Sequence, residues 1–116
     1  MKTTKKQFNS FRKELKRLLK LYGLCSWDVH YEHDRIDGRA ISTTVPELAS
    51  HIVVFTLNKH FIGDDITQEE FDDIALHEVL ELLFTKLEDM VCTCKKDEAR
   101  EEVHTIIQTI INVNRS

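Results

Sequence analysis

With 116 residues, 41% of them apolar and 31% charged, the chain has the material for one domain around one modest core. No apolar run approaches the roughly 20 residues that a membrane-spanning helix needs, and a formal charge of −4 excludes a global basic field for nucleic acid. The basic N-terminus has no apolar run behind it, which excludes a signal peptide. Three cysteines without scaffold spacing then point to a reducing cytoplasm.

Taken in chain order, Thr4 to Tyr22 reads as a first helix. Phe8, Phe11, Leu15, Leu18, Leu19 and Tyr22 form one apolar stripe at helical spacing. Thr4 and Gln7 have the spacing of a capping box, and Gly23 is a natural stop. Lys2, Lys5, Lys6, Arg12, Lys13, Lys16, Arg17 and Lys20 cluster here and read as a solvated helix face. Nucleic acid is therefore not the expected partner, although a nucleic-acid-associated protein using this helix is the third alternative.

From Trp27 to Arg35 the period changes to two, as in a strand. Asp37-Gly38 is a turn signal, Arg39 to Val45 a weaker strand ended by Pro46, and Ser50 to Leu57 a third strand with the β-branched run Ile52-Val53-Val54. The three are expected to make a small, mainly antiparallel sheet. Trp27 is expected to anchor the core beneath the first helix, and Cys25 to be a small buried residue. Cys92-Thr93-Cys94 is C-x-C and lacks a second pair for a zinc ribbon.

After a loop from Asn58 to Ile66, Thr67 with Glu70 opens a second helix that runs to about Leu87. Its apolar residues go nearly all round, which marks a central helix. Glu88 to Lys96 is a connection, and a last helix from about Asp97 to Asn112 carries Val103, Ile106, Ile107, Ile110 and Ile111 as its core stripe. The fold class is thus α+β in a single domain, residues 1–116: a leading helix, a three-stranded sheet, a central helix and a C-terminal helix.

Within the central helix, His77, Glu78 and Glu81 interrupt the apolar run Ala75–Phe84. Burying such groups is costly unless they are paired, hydrogen-bonded or metal-bound. His77 and Glu81, four residues apart, stack on one face at the spacing by which H-E-x-x-H helices present two zinc ligands. Glu is an acceptable oxygen ligand in place of the second His, which gives H-E-x-x-E. Glu78 is placed as the general base toward a metal-bound water. The third ligand comes from the last helix, as His104 or Glu101. The competing reading has His77 hydrogen-bonded in the core and both acids on a solvated face. Of the other histidines, His30, His33 and His51 read as surface residues. His60 is a loop residue that could approach the site as a proton donor. Asp64 and Asp65 sit where a helix dipole favours acids.

On these residues the chain resembles the minimal zincin-like metallopeptidases, the SprT-like and ImmA/IrrE-like groups and above all the small ones encoded by bacteriophages. The resemblance runs in order through "SWDVHYEH", "HIVVFTLN", "IALHEVLELLF" and "EAREEVHTII". The family's H-E-x-x-H maps onto His77, Glu78 and Glu81, and its third ligand onto Glu101 or His104. The departure is Glu81 in place of the usual second His. The resemblance implies bound Zn2+, a peptide or protein substrate laid along a sheet edge, and a bacterial or phage-infected host cytoplasm. The alternative it leaves is a catalytically inactive zincin-like protein that binds or inhibits a host protein.

Overall fold

The computed structural model describes residues 1–91, Glu101, His104, Thr105, residues 107–109, Ile111 and Asn112. The expected start of the last helix at Asp97, its Val103, Ile106 and Ile110, and Cys92 and Cys94 lie outside the described residues. The elements run α1 (Lys5–Leu21), β1 (Asp28–Asp34), β2 (Ser42–Glu47), β3 (Ile52–Asn58) and α2 (Gln68–Val91), and the described residues from Glu101 to Asn112 have helical backbone. The layout is α+β, as expected.

Helix α1 starts as its sequence dictates. The Thr4 hydroxyl accepts from Gln7 N–H at 3.1 Å, and the Gln7 side chain accepts from Thr4 N–H at 2.8 Å. The reciprocal bonds satisfy two of the donors that a helix N-terminus leaves free. Phe11, Leu15, Leu18 and Leu19 are buried, and Phe8 and Tyr22 pack on the margin of the core. The Gly23 that follows has φ +71°, a conformation that glycine adopts without a Cβ penalty. Thr67 and Glu70 cap α2 in the same way.

The sheet corrects the expectation of a mainly antiparallel arrangement. Its strand order is β1-β3-β2, with β3 parallel to β1 and antiparallel to β2. Asp37-Gly38 therefore does not close a hairpin. The segment it belongs to crosses the end of β3 and delivers β2 to that strand's far side. The hairpin of the molecule is the next one, β2 to β3, entered through His51 at φ +57°. Pro46 also does not end the second strand; it lies inside β2 opposite Val53. Proline lacks the N–H of a ladder, and an edge strand such as β2 tolerates that loss.

One face of the sheet is apolar. Val53, Phe55 and Leu57 of β3 are buried against the helices, together with Phe71, Ala75, Val79 and Leu80 of α2 and with Ile107 and Ile111. Burying each of these side chains other than that of Ala75 contributes roughly 1.5–3 kcal/mol, which is what holds the two layers together. The other face carries Asp28, His30, Glu32 and Asp34 of β1, all exposed.

Asn58, the last residue of β3, is fully buried and fixes the crossing segment. Its side-chain oxygen accepts from the N–H of Ile36 at 3.1 Å and of His60 at 3.2 Å, and its amide donates to the carbonyls of Ile36 and Ala40 at 3.2 and 2.9 Å. Thr3 adds a further bond to the Asn58 carbonyl and another to His33 Nε2, each 2.7 Å. His33 also stacks on Phe8 at 4.9 Å, so it is half-buried under α1 and not the surface residue expected. Cys25 is exposed, against the expectation of burial. Trp27 is partly buried at the core margin and stacks on His51 at 4.1 Å.

Candidate metal centre

Helix α2 packs against both α1 and strand β2, while α1 rests directly on β1, and α2 carries three polar residues in its apolar middle. His77 and Glu81 point one way, one turn apart, as their spacing requires. His77 Nε2 lies 3.4 Å from Glu81 Oε1. His104 reaches the same oxygen from the C-terminal helical segment, with Nδ1 at 3.3 Å. The two imidazoles lie 5.8 Å apart between centroids, tilted by 25°. One potential ligand atom from each of His77, Glu81 and His104 lies within 4.8 Å of the others, so the group could hold a metal ion.

The donor set fits a small divalent ion. Metal bonds of about 2.0–2.1 Å in tetrahedral array separate neighbouring ligand atoms by about 3.3 Å. The two His–Glu distances already have that value, and only the imidazole–imidazole edge has to close. All three side chains keep access to solvent, between 24% and 36% exposed, which leaves room for a fourth position. Glu101, the alternative third ligand, is exposed and stands outside the group. His60 lines a groove with Arg35, Ile36, Asp37 and Phe61, and none of the site residues lines it.

Glu78 adjoins Glu81 and is buried more deeply. It is 6% exposed and lies under β2, where Ser42 Oγ donates to Oε1 at 2.8 Å and Thr44 Oγ1 donates to Oε2. Ser42 and Thr44 alternate along the strand and so face α2 together. Burial excludes the reading that placed Glu78 on a solvated face. Sequence reasoning missed the two hydroxyls. Their signal was present as a polar pair at period two in a short strand.

The charges of the four groups are linked. Burial pushes the Glu78 carboxyl above the usual range, opposed by the Thr44 hydroxyl and assisted by the nearby Glu81 charge. Burial also acts upward on Glu81. The hydrogen bond and charge of His77 and the charge of His104 outweigh it, so that carboxyl ends below its ordinary value. The Glu81 hydrogen bond raises His77 against the opposing effect of burial. The site thus holds one carboxyl whose proton affinity is lowered between two imidazoles, and beside it one whose proton affinity is raised.

Comparison of the chain with protein-family models, curated proteins and solved structures finds no match. Among the described residues no helix is long and apolar enough to cross a membrane.

Proposed function

We propose that the chain is a zinc-dependent hydrolase acting on peptide bonds. The observation that carries this reading is the convergence of His77, Glu81 and His104 from two helical segments onto one point. Two imidazoles and a carboxylate suit zinc better than magnesium or calcium, which prefer oxygen alone. Once bound, such an ion acts as a Lewis acid and makes water a stronger acid. The chain supplies the rest. Glu78 moves a proton at Oε2, its affinity for that proton raised by burial. The hydroxyls of Ser42 and Thr44 orient that carboxylate. Strand β2, an edge of the sheet beside α2, offers backbone groups to an extended peptide. The α+β order of elements agrees with a zincin-like layout, and a bacterial or phage-infected host cytoplasm is the setting that goes with this proposal.

The test is metal analysis of protein purified without a histidine tag, followed by cleavage of a peptide library. We expect near-stoichiometric zinc and metal-dependent cleavage. Glu78→Gln is expected to retain the metal and lose cleavage. Full activity in that variant would remove Glu78 from the mechanism.

A second reading, a metal-bearing binding module that captures a host protein, is favoured by the anchoring of both Glu78 oxygens to β2. It expects Glu78→Gln to be silent and Val45→Asp, on the exposed side of β2, to abolish binding.

A further inference from the structure

The charge of this chain is divided very unevenly. Eight of its sixteen Lys and Arg, and one of its twenty acids, fall in residues 1–21, so that segment carries +7 and the remainder −11. The structure shows where those cations stand. At 100° per residue, the basic positions of α1 occupy a sector of about 140°, from Arg12, next to buried Leu19, through Lys16, Lys20 and Lys6 to Arg17. The only acid of α1, Glu14, lies outside the sector and pairs with Arg17. Mixed signs are the rule on a merely solvated face. This sector has one sign.

Part of it is also shaped. Asn9, Arg12, Lys13 and Lys16 line an open groove of about 330 Å³. Arg12 and Lys16 lie over the ring of Tyr31 on β1, 5.2 and 5.7 Å from its centroid. Attraction of the two cations to the ring face restrains them without neutralising them. Restrained cations lose less freedom when an anion arrives.

We propose that this face of α1 docks on the phosphate backbone of duplex nucleic acid, without reading its sequence. The stripe from Lys6 to Lys20 is about 21 Å long, and a B-form duplex offers about one charge per 1.7 Å along its axis. Three features select this partner. A membrane-bound amphipathic helix inserts its apolar face, and here Phe11, Leu15, Leu18 and Leu19 are committed to the core. A protein partner would want an apolar anchor within the basic face. The one exposed large apolar side chain of α1, Leu21, lies outside the sector. Single strands are bound by stacking bases on free aromatic faces, and the face of Tyr31 toward α1 is already taken. The inference does not rest on the metal site.

The experiment is fluorescence anisotropy with a labelled 20-base-pair duplex of arbitrary sequence, in a series of KCl concentrations. Binding is expected to weaken with salt, with a log–log slope of about −3 to −5, corresponding to a few neutralised phosphates. The variant R12E/K13E/K16E is expected to bind at least about tenfold more weakly at low salt and to flatten that slope. K13Q/K20Q, which leaves both cations on Tyr31 in place, is expected to flatten it by about two. Circular dichroism confirms that both variants are folded. No binding by the wild type at low salt, or an unchanged slope in both variants, overturns the proposal. Equal affinity for phosphatidylserine vesicles, or equal competition by poly-glutamate, reassigns the face to a membrane or an acidic polypeptide and overturns it too.

Discussion

Two polar clusters are built against the same sheet, and they use their hydrogen-bonding capacity in opposite ways. Around Asn58 a neutral amide is fully enclosed, and both its donors and both its acceptor sites are spent on main-chain groups of the crossing segment. Around Glu81 the groups are ionisable, meet through side chains alone and remain open to solvent. The first cluster is closed to any ligand and fixes where the chain goes. The second leaves lone pairs at a common point, which is how a site for an ion differs from a device of the fold. Removing a member should therefore affect stability in one and affinity in the other.

The largest expected effect on stability is that of Asn58→Ala. It strands the N–H groups of Ile36 and His60 and the carbonyls of Ile36 and Ala40, and should cost about 3 kcal/mol in urea unfolding. Zinc affinity of the fraction that remains folded should be unchanged. His104→Ala should show the reverse. Calorimetric zinc affinity is expected to fall by on the order of 100-fold or more, while the metal-free protein stays within about 1 kcal/mol of the wild type.

Glu78→Gln sharpens the contrast within the second cluster. The folded carboxyl binds its proton more tightly than the unfolded one, so its contribution to stability falls as pH rises through the interval between the two pKa values. Glutamine keeps partners for Ser42 and Thr44 and removes that dependence. The metal-free variant should be at least as stable as the wild type at pH 7, by up to about 1 kcal/mol. The smallest effect belongs to His33. Burial, with the Lys59 charge, holds its pKa below the ordinary imidazole value. Its contribution is fully present above the unfolded pKa of about 6.5 and is lost as pH falls below it. A modest drop in Tm between pH 7 and pH 5, absent in His33→Gln, would show this.

What could be read in advance was local. Thr4 with Gln7 and Thr67 with Glu70 announce helix starts because capping depends on residues three apart. His77 and Glu81 announce a shared face because the helix repeat imposes it. His104 could be placed beside them because it flanks a core stripe. Pairing partners are a different matter. A strand's alternation is the same whether its neighbour runs parallel or antiparallel, so nothing in the Trp27–Arg35 pattern reveals that β1 pairs with β3. Asp37-Gly38 signals a turn but not its destination. Asn58 looked like the first residue of a loop, since a polar side chain after an apolar run has that meaning unless its buried partners are known. Glu78 belongs to that cluster by spacing, but its burial under β2 is not readable in the same way, because the hydroxyls that hold it come from a strand more than 30 residues away.

The central position of β3 also orders the assembly of the sheet in time. Each β1–β3 pair lies 24 residues apart, Asp28 with Ile52 and Asp34 with Asn58, whereas β2 and β3 are joined by a short hairpin. Closing the longer loop costs more entropy, so the β2–β3 hairpin is expected to form before β1 docks, an order that hydrogen-exchange labelling during refolding would check. Until it docks, Tyr31 and His33 are uncovered, and α1 has no sheet edge to rest on. The first strand of the sheet in sequence is thus expected to be its last in folding, and the Asn58 side chain then fixes the segment that leads from it to β2.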